Sequence, residues 1–202
     1  MRIIGGTLKG KTILPPTTFS ARPTTDFAKE GLFNILGNEY DLSECRILDL
    51  FAGTGSISYE FASRGAKQIY SVEMNPLHAS FIKKSVSQLK IQGMQVVRHN
   101  VFEFLKICKI DFDIIFADPP YSIEALDSIP DQVFSAQIDD NEASILRDGG
   151  VFILEHPAEY SFTDHPKIKK KKNMAMFTSL FLNKIWRLKK NHYLCNPFEK
   201  QR

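Results

Sequence analysis

Short apolar runs alternate with helical patterns through the middle of the chain. Each run of five or six residues is rich in Ile, Leu, Val or Phe, which is typical of strands buried on both faces of a sheet. Between the runs, apolar residues recur at helical spacing. The pattern predicts five strands, over 47–51, 68–73, 95–99, 112–117 and 151–155. Such alternation predicts an α/β fold with a doubly wound, mostly parallel sheet.

Cap and turn residues mark where the helices begin and end. Thr25 is a suitable N-cap, and the residues after it predict a helix with one buried face that ends at Gly37. The residues of that face are Phe27, Gly31, Leu32, Ile35 and Leu36. The same signals predict a helix that ends at Gly65 after Arg64, a helix from Pro76 towards Leu89, a short helix over Glu142–Leu146, a turn at Gly149-Gly150 and a returning strand over Phe177–Leu182.

The first residues differ in composition from the rest of the chain. Two short segments with strand-forming residues flank a glycine-containing turn within residues 1–13, and they predict a basic β-hairpin. A linker from Pro15 to Pro23 follows, and residues before proline favour extended backbone. We therefore divide the chain into a hairpin and linker over 1–23, a main domain over 24–182 and a basic tail over 183–202.

Composition excludes several classes of protein. Of the 202 residues 43% are apolar and 24% charged, which is average for a globular protein. Cys45, Cys108 and Cys195 are odd in number and far apart. We therefore expect no disulfide framework and no metal site, and we expect a cytoplasmic location. No stretch approaches the roughly 18 apolar residues of a membrane span, so we expect no membrane association.

Charge is divided unevenly along the chain. Residues 1–30 carry a net charge of +3, residues 31–164 carry −10 and residues 165–202 carry +10. Basic ends around an acidic centre predict a surface that binds a polyanion. We expect its contacts to come from Arg2, Lys9, Lys11 and Arg22, whereas the run Lys169–Lys172 can equally be a solvated loop.

A glycine turn follows the first strand. Gly53 and Gly55 stand between this strand and a helix, where glycine lets a ligand approach the backbone at the helix N-terminus. Asp49 and Phe51 precede the glycines. Glu73 ends the next strand, where a carboxylate can accept hydrogen bonds from both hydroxyls of a ribose. These features suit any nucleoside cofactor, including NAD, and a purely structural turn is also compatible with them.

The tetrapeptide Asp118-Pro119-Pro120-Tyr121 follows the fourth strand. It falls at the carboxyl edge of the predicted sheet, where open α/β folds bind ligands. The prolines are stiff and hold the flanking residues in place. The Asp118 carboxylate and the Pro119 carbonyl can accept hydrogen bonds from a nucleobase amine and aim its lone pair at an electrophile. Tyr121 can stack on the base. The alternative is a structural Asp-Pro-Pro turn.

Three motifs follow one another along the chain, namely Asp49-x-Phe-x-Gly-x-Gly55, Glu73 and Asp118-Pro-Pro-Tyr121. In this order they resemble the motifs of S-adenosylmethionine-dependent amino-methyltransferases that modify bases in nucleic acids. Three further segments resemble the bacterial RsmD family, which methylates a guanine 2-amino group in 16S ribosomal RNA. They are Arg2-Ile-Ile-Gly-Gly-Thr-Leu-Lys-Gly-Lys11, Arg22-Pro-Thr-Thr-Asp26 and Leu32-Phe-Asn-Ile-Leu36. The resemblance extends from about residue 1 to residue 156.

This resemblance implies the class I methyltransferase fold, S-adenosylmethionine as cofactor, and roles for individual residues. The implied cofactor residues are Asp49, Phe51, Gly53, Gly55, Glu73, Asn100 and Thr24, with Asp118, Pro119, Pro120 and Tyr121 at the target base, and with Arg22 and Pro23 beside Thr24 at the mouth of the site.

Two positions depart from the family pattern. Asn100 stands where the family commonly has an Asp that binds the adenine amino group. Its side-chain carbonyl can still accept that hydrogen bond, although an amide is a poorer acceptor than an ionised carboxylate. We therefore expect weaker cofactor binding rather than none. Lys172-Asn173-Met174 replaces the family's Tyr-Gly pair before the last strand.

Three hypotheses follow from the sequence. The first is methyl transfer to a guanine 2-amino group in 16S ribosomal RNA, free or within the small ribosomal subunit, by a monomer. The second is a DNA adenine amino-methyltransferase, a class that also uses Asp-Pro-Pro-Tyr, although the sequence shows no separate target-recognition domain. The third is a non-catalytic RNA-binding or assembly factor that keeps the fold. The sequence does not indicate which guanine is modified.

Overall fold

A computed structural model describes residues 1–19, 24–138, 143–157, 159–162 and 165, and the backbone of residues 184–187. Within these residues, helices and strands alternate along the chain. The helices are α1 (Asp26–Glu39), α2 (Ser56–Ser63), α3 (Pro76–Leu89), α4 (Val101–Ile107) and α5 (Ile129–Ser135). The strands are β1 (Arg46–Leu50), β2 (Gln68–Val72), β3 (Met94–Val97), β4 (Phe112–Ala117), β5 (Leu146–Leu154) and β6 (Lys184–Arg187).

The strands form one sheet in the order β3-β2-β1-β4-β5-β6. β1 to β5 run parallel, and β6 pairs with β5 in the antiparallel direction. The chain moves outward from β1 to β3 and then crosses to the other side of β1 to form β4. In open α/β sheets, ligands bind at such a reversal point. The doubly wound, mostly parallel α/β fold expected from the sequence is confirmed.

Alternate strand residues supply the cores on the two faces of the sheet. Leu48 and Ile115 are fully buried in a cluster that includes side chains of α4 and α5. Ile47 and Ile114 are fully buried in a second cluster, with side chains of α1, α2 and α3. Because successive strand side chains point to opposite faces, near-continuous apolar runs fill both clusters at once.

Helix α1 begins as predicted and ends later. Thr25 is its N-cap, and the Thr25 hydroxyl accepts a hydrogen bond from the Ala28 N–H at 3.2 Å. The end predicted at Gly37 is wrong, since the helix continues to Glu39 and the Tyr40 N–H donates to the Leu36 carbonyl. A glycine inside a helix costs only about 1 kcal/mol relative to alanine, which the burial of Leu36 offsets.

The buried face of α1 also differs from the prediction. Phe27 is 68% exposed, whereas Lys29 is only 1% exposed. The Lys29 ammonium donates a hydrogen bond to the Arg2 carbonyl, so the N-terminal segment satisfies its charge as the helix turns this side inward. The buried residues of α1 are Ala28, Lys29, Leu32, Phe33 and Leu36.

The segment before β5 is not helical. Ser144 forms an antiparallel bridge with Gln137, and Leu146 already belongs to β5. The helix predicted over Glu142–Leu146 is therefore wrong over 143–146, the part of it that the structure describes, because pairing with neighbouring backbone overrides the local helical pattern.

The turn predicted at Gly149-Gly150 is also wrong, because β5 continues through both glycines. Its register with β4 shifts at this point. A Cβ on Gly150 would lie 2.8 Å from the Arg147 carbonyl oxygen and 2.9 Å from the Asp113 carbonyl oxygen. Glycine therefore lets the two backbones approach closely at an irregularity in the strand.

After β5, the next strand of the described residues begins at Lys184. Residues Phe177–Leu182 lie outside the described part of the chain, and β6 at Lys184–Arg187 is the strand that pairs with β5.

α5 has no counterpart among the predicted elements. It begins at Ile129-Pro130, and proline is well suited to a first helical turn.

The N-terminal hairpin packs on α2. Arg2 and Thr12 form its antiparallel bridge. The Glu60 carboxylate, which is fully buried, accepts hydrogen bonds from the Ile4 N–H at 2.9 Å and the Gly5 N–H at 2.8 Å. The hairpin is thus fixed to the helix that starts at the glycine turn. The domain boundaries proposed near residues 23 and 182 lie outside the described residues.

None of the helices in the described ranges is long and apolar enough to cross a membrane.

Candidate active site at the carboxyl ends of the strands

The sheet order brings the predicted site residues to one edge. Asn100 follows β3, Glu73 follows β2 and the glycine turn follows β1. On the other side of the reversal point, Asp118 follows β4. The carboxyl ends of parallel strands share one edge, so the motifs form a continuous row across the centre of the sheet.

The glycine turn has a backbone that other residues rarely adopt. Gly53 and Gly55 have φ of +55° and +81°. A Cβ on Gly55 would lie 2.8 Å from the ring of Tyr59, so a side chain there would disrupt the start of α2. Among the described residues, a Cβ on Gly53 would have only the Phe51 carbonyl oxygen, at 3.8 Å, within 4 Å. The space above Gly53 is therefore open for a ligand to approach the turn.

Glu73 braces this turn from the neighbouring strand. Its Oε2 accepts a hydrogen bond from the Gly53 N–H at 2.8 Å, and its Oε1 accepts one from the Asn75 N–H at 2.7 Å. A carboxylate oxygen has more than one acceptor site, so both oxygens can also accept from ribose hydroxyls. Glu73 therefore shapes the turn and can bind a ribose with the same carboxylate.

Asp49 lies beneath the turn. It is 2% exposed, and its Oδ2 accepts a hydrogen bond from the Ser58 hydroxyl at 2.5 Å. Ser58 in turn contacts the Ser71 hydroxyl at 2.6 Å, which joins α2 to β1 and β2. Burial raises the pKa of Asp49 to about 7. The structure therefore gives Asp49 a supporting position, and its direct contact with a cofactor stays a prediction.

Asn100 uses its carbonyl oxygen as a helix cap. Oδ1 accepts hydrogen bonds from the Phe102 N–H at 2.9 Å and the Glu103 N–H at 3.3 Å, at the start of α4. The amide nitrogen lies 3.7 Å from the sulfur of Met74. Met74 is 63% exposed and was missed by the sequence analysis, since a lone methionine after a strand carries no signal.

The Asp-Pro-Pro-Tyr motif begins at the end of β4. Pro119 is buried and Tyr121 is 57% exposed. Among the described residues no N–H donates to the Pro119 carbonyl or to the Asp118 carboxylate. Burial raises the pKa of Asp118 to about 6. Two acceptors therefore stand side by side with capacity for a donor such as an amine.

Glu155 is a second carboxyl group beside Asp118 that the sequence analysis did not assign to the site. It follows β5 and is 7% exposed. Burial and the charge of Asp118 raise its pKa to about 8. A single glutamate after a strand gives no sequence signal, because only the register of β4 and β5 places it next to the motif.

The predicted RNA-binding residues lie mainly on the hairpin. Lys9 and Lys11 are exposed, while Arg2 forms an ion pair with Asp26 at 2.9 Å. Thr24 is half-buried just before α1, and no described contact joins it to the glycine turn. The predicted residues that lie outside the described part of the chain are Arg22, Pro23 and Lys169–Lys172.

Comparison with known proteins adds a family match. A family model described as "Conserved hypothetical protein 95" matches residues 1–180. "Ribosomal RNA small subunit methyltransferase D" of Buchnera aphidicola subsp. Baizongia pistaciae is 35% identical over 126 residues, which are 62% of this chain and 64% of that protein. The protein of the same name from Haemophilus influenzae is 38% identical over 60% of this chain and 64% of its own length. The match thus spans slightly less than two thirds of each relative.

A solved structure covers more of the chain. "Putative methyltransferase yhhF from Escherichia coli" aligns with a TM-score of 0.75 and 26% identity, over 93% of this chain and 97% of that one. The chain is therefore similar to a methyltransferase structure across the sheet, the glycine turn and the edge that carries the buried carboxyl groups.

Proposed function

This chain belongs to the RsmD family, whose family model is described as conserved hypothetical protein 95, and on that premise we propose that it transfers a methyl group from S-adenosylmethionine to ribosomal RNA. The observation that carries the proposal is the juxtaposition of the glycine turn with the Asp118 and Pro119 acceptors across β1 and β4. A cofactor site and a target site then share one edge.

The residues at this edge fit S-adenosylmethionine. The open space above Gly53 admits a ligand, and Glu73 can accept hydrogen bonds from ribose hydroxyls. Asp49 and Glu155 are buried and Asp118 is partly buried, and none of the three carboxyl groups has a described Lys or Arg as ion-pair partner. An acidic region of this kind favours a cofactor that carries a positive sulfonium and a positive amine.

Asn100 fits the cofactor less well. The adenine amino group is a donor and needs an acceptor, whereas both hydrogen bonds to the Asn100 carbonyl oxygen come from the backbone of α4. The amide nitrogen that is left is itself a donor. The observed capping geometry supports weaker adenine binding at this position.

Asp118 and Pro119 prepare the target amine for reaction. When bound, S-adenosylmethionine supplies a methyl group that is attached to a positively charged sulfur. The amine nitrogen attacks the carbon of this methyl group, and the carbon–sulfur bond breaks with its electron pair staying on sulfur. The Asp118 carboxylate and the Pro119 carbonyl accept hydrogen bonds from the two N–H groups of the amine. This aims the nitrogen lone pair at the methyl carbon, and the nitrogen then loses one proton to solvent. Positioning supplies most of the acceleration.

We propose the guanine 2-amino group of 16S ribosomal RNA as the target. Support comes from the relatives, which are named as methyltransferases of the small-subunit RNA. The exposed ring of Tyr121 lies next to the two acceptors and can stack on a base that has left its helix. The exposed Lys9 and Lys11 of the hairpin can bind the RNA backbone.

The test is methylation of unmodified 16S RNA, free or in 30S particles, by the purified full-length protein with isotope-labelled S-adenosylmethionine. We expect label in RNA, recovered as N2-methylguanosine when the digested nucleosides are separated by mass spectrometry. Label in methyladenosine from a DNA substrate would establish the second hypothesis instead. Calorimetry that detects no binding of S-adenosylmethionine would establish a non-catalytic protein on the same fold.

A further inference from the structure

Two carboxyl groups that follow neighbouring strands lie side by side in the site. Ala117 of β4 pairs in register with Leu154 of β5, and the Glu155 N–H continues the ladder by donating to the Ala117 carbonyl at 2.8 Å. Asp118 and Glu155 are the next residues on the two strands. Parallel strands lie about 4.8 Å apart, and residues in register project to the same face. The sheet itself therefore brings the two carboxyl groups together.

These two groups share a poorly solvated environment. Glu155 is 7% exposed, and among the described residues other than this pair no N–H or O–H donates to its carboxyl group or to that of Asp118. Burial and the charge of Asp118 raise the pKa of Glu155 to about 8, and burial raises the pKa of Asp118 to about 6. Adjacent buried carboxyls resist double ionisation, so the pair holds one proton near neutral pH.

The charges around the pair favour retention of this proton. Asp49 in β1 and Glu73 after β2 lie on the Asp118 side and are acidic. On the other side of β5, two cationic residues of β6 are in register with the strand, Lys184 opposite Leu154 and Arg187 opposite Val151. His156 follows Glu155, and its Nδ1 lies 2.8 Å from the Pro157 carbonyl oxygen.

We propose that Glu155 is a positioning residue, whose neutral carboxyl group donates a hydrogen bond to one oxygen of Asp118 and leaves the other oxygen to accept from the target amine. This inference rests on the proposed function. A carboxylate held at one oxygen keeps a fixed direction at the other, and methyl transfer depends on the alignment of the amine lone pair. Above pH 8, Glu155 ionises, the hydrogen bond is lost, and the two like charges repel.

Two substitutions separate this role from a purely structural one. A glutamine at this position has the shape of the neutral acid and an N–H that can donate to Asp118, yet it cannot ionise. Glu155→Gln should therefore transfer methyl groups at least tenfold faster than Glu155→Ala at pH 7. We expect the wild-type rate to decline above pH 8, and Glu155→Gln should lose this decline. Glu124→Gln, at an exposed glutamate, is the matched control and should keep the wild-type profile.

The experiment measures the rate of methyl transfer to 30S particles between pH 6 and 9.5, with saturating S-adenosylmethionine. Equal losses in Glu155→Gln and Glu155→Ala would overturn the proposal, because an ionised carboxylate would then be required. An unchanged alkaline limb in Glu155→Gln would also overturn it.

A second readout does not depend on activity. The infrared C=O stretch of protonated carboxyl groups should be stronger in wild type at pH 7 than in Glu155→Gln, where Asp49 still contributes to it. A wild-type protein that shows this excess intensity but methylates no RNA would contradict the proposed function and leave the proton-sharing pair in place. A wild-type band no stronger than that of Glu155→Gln would contradict the pair itself.

Discussion

Carboxyl groups at the two ends of the central strands have opposite electrostatic environments. At the amino ends, Arg147 bonds to Asp111 at 2.6 Å and to Asp113 at 3.0 Å. The hydrogen bond from Arg147 is the main cause of a lowered pKa at Asp111. At the carboxyl ends, Asp118 is partly buried and Glu155 is buried. Neither has a described arginine or lysine as partner, and their pKa values are raised to about 6 and about 8.

This contrast separates stabilising charges from functional ones. A carboxylate that pairs with an arginine contributes to folding, and a buried carboxyl without a cation opposes it. A folded protein retains a buried carboxyl group without a cation where a ligand supplies the missing donor or charge, and the protein is less stable as a result. The charges at the amino ends of the strands therefore stabilise the sheet, and we infer that those at the carboxyl ends are kept for a substrate.

The largest expected effect is that of Asp118→Ala. We propose that the Asp118 carboxylate contacts the target amine and that this contact strengthens in the transition state, so we expect methyl transfer to become undetectable. The affinity for S-adenosylmethionine should stay within a few-fold of wild type. Initial rates and calorimetry measure the two quantities. Asp127→Ala, at an exposed aspartate, is the control, and a rate for Asp118→Ala within tenfold of wild type would refute the role.

Glu73→Ala should act on cofactor binding. Its carboxylate braces the glycine turn and is expected to bind the ribose, and each lost hydrogen bond to a charged group is worth about 1.5–3 kcal/mol. We expect the dissociation constant for S-adenosylmethionine to rise at least tenfold by calorimetry. Glu124→Ala should leave the dissociation constant unchanged. If Glu73→Ala binds the cofactor as tightly as wild type, the ribose assignment is wrong.

Asn100→Asp should tighten cofactor binding by a few-fold. One carboxylate oxygen can cap α4 while the other accepts from the adenine amino group. Asn38→Asp, at an exposed asparagine of α1, is the control, because it adds the same charge on a residue that does not contact Glu73. Calorimetry should show no change for the control. Weaker binding by Asn100→Asp would mean that this position does not face the adenine amino group.

The smallest expected effect lies on the hairpin, away from both ends of the strands. Replacing Lys9 and Lys11 together by alanine should weaken RNA binding and lower the magnitude of its salt slope by a little under 1 for each lost phosphate contact. Affinity for S-adenosylmethionine should not change. The exposed pair Lys83 and Lys84 on α3, replaced in the same way, is the control. Equal salt slopes for both double variants would place the RNA surface elsewhere.

The alternation of elements was predictable because buried parallel strands leave a strong apolar signal. The bounds Pro76–Leu89 and Phe112–Ala117 are confirmed, since proline and the apolar run mark them. The length of β5 was not predictable. Its glycines, which locally favour a turn, instead permit a close approach to β4 that only the tertiary structure shows.

The site was predictable only where a motif carries it. Asp118 and Glu73 stand out by their neighbours in the sequence. Glu155 does not, because its role depends on the register of two strands that are distant in sequence. The capping role of Asn100 was also missed, since an asparagine after a strand can bind a ligand or cap a helix equally well.

The most direct test of the contrast between the two ends replaces one aspartate near each end of β4 by asparagine. Asp113→Asn weakens the pairing with Arg147, so the free energy of unfolding should fall by about 1–2 kcal/mol. At pH 8, Asp118→Asn removes a buried negative charge and introduces an amide that can donate to Glu155. The folded-state pKa of Asp118 is raised, so ionisation opposes folding as pH rises through 6.

We therefore expect denaturant unfolding at pH 8 to show opposite signs for the two variants. Asp113→Asn should be less stable than wild type. Asp118→Asn should be more stable, with a smaller gain at pH 5, where the wild-type carboxyl is already protonated. Loss of stability in both variants would contradict the account, because Asp118 would then be a structural residue like its counterpart at the other end of the strand.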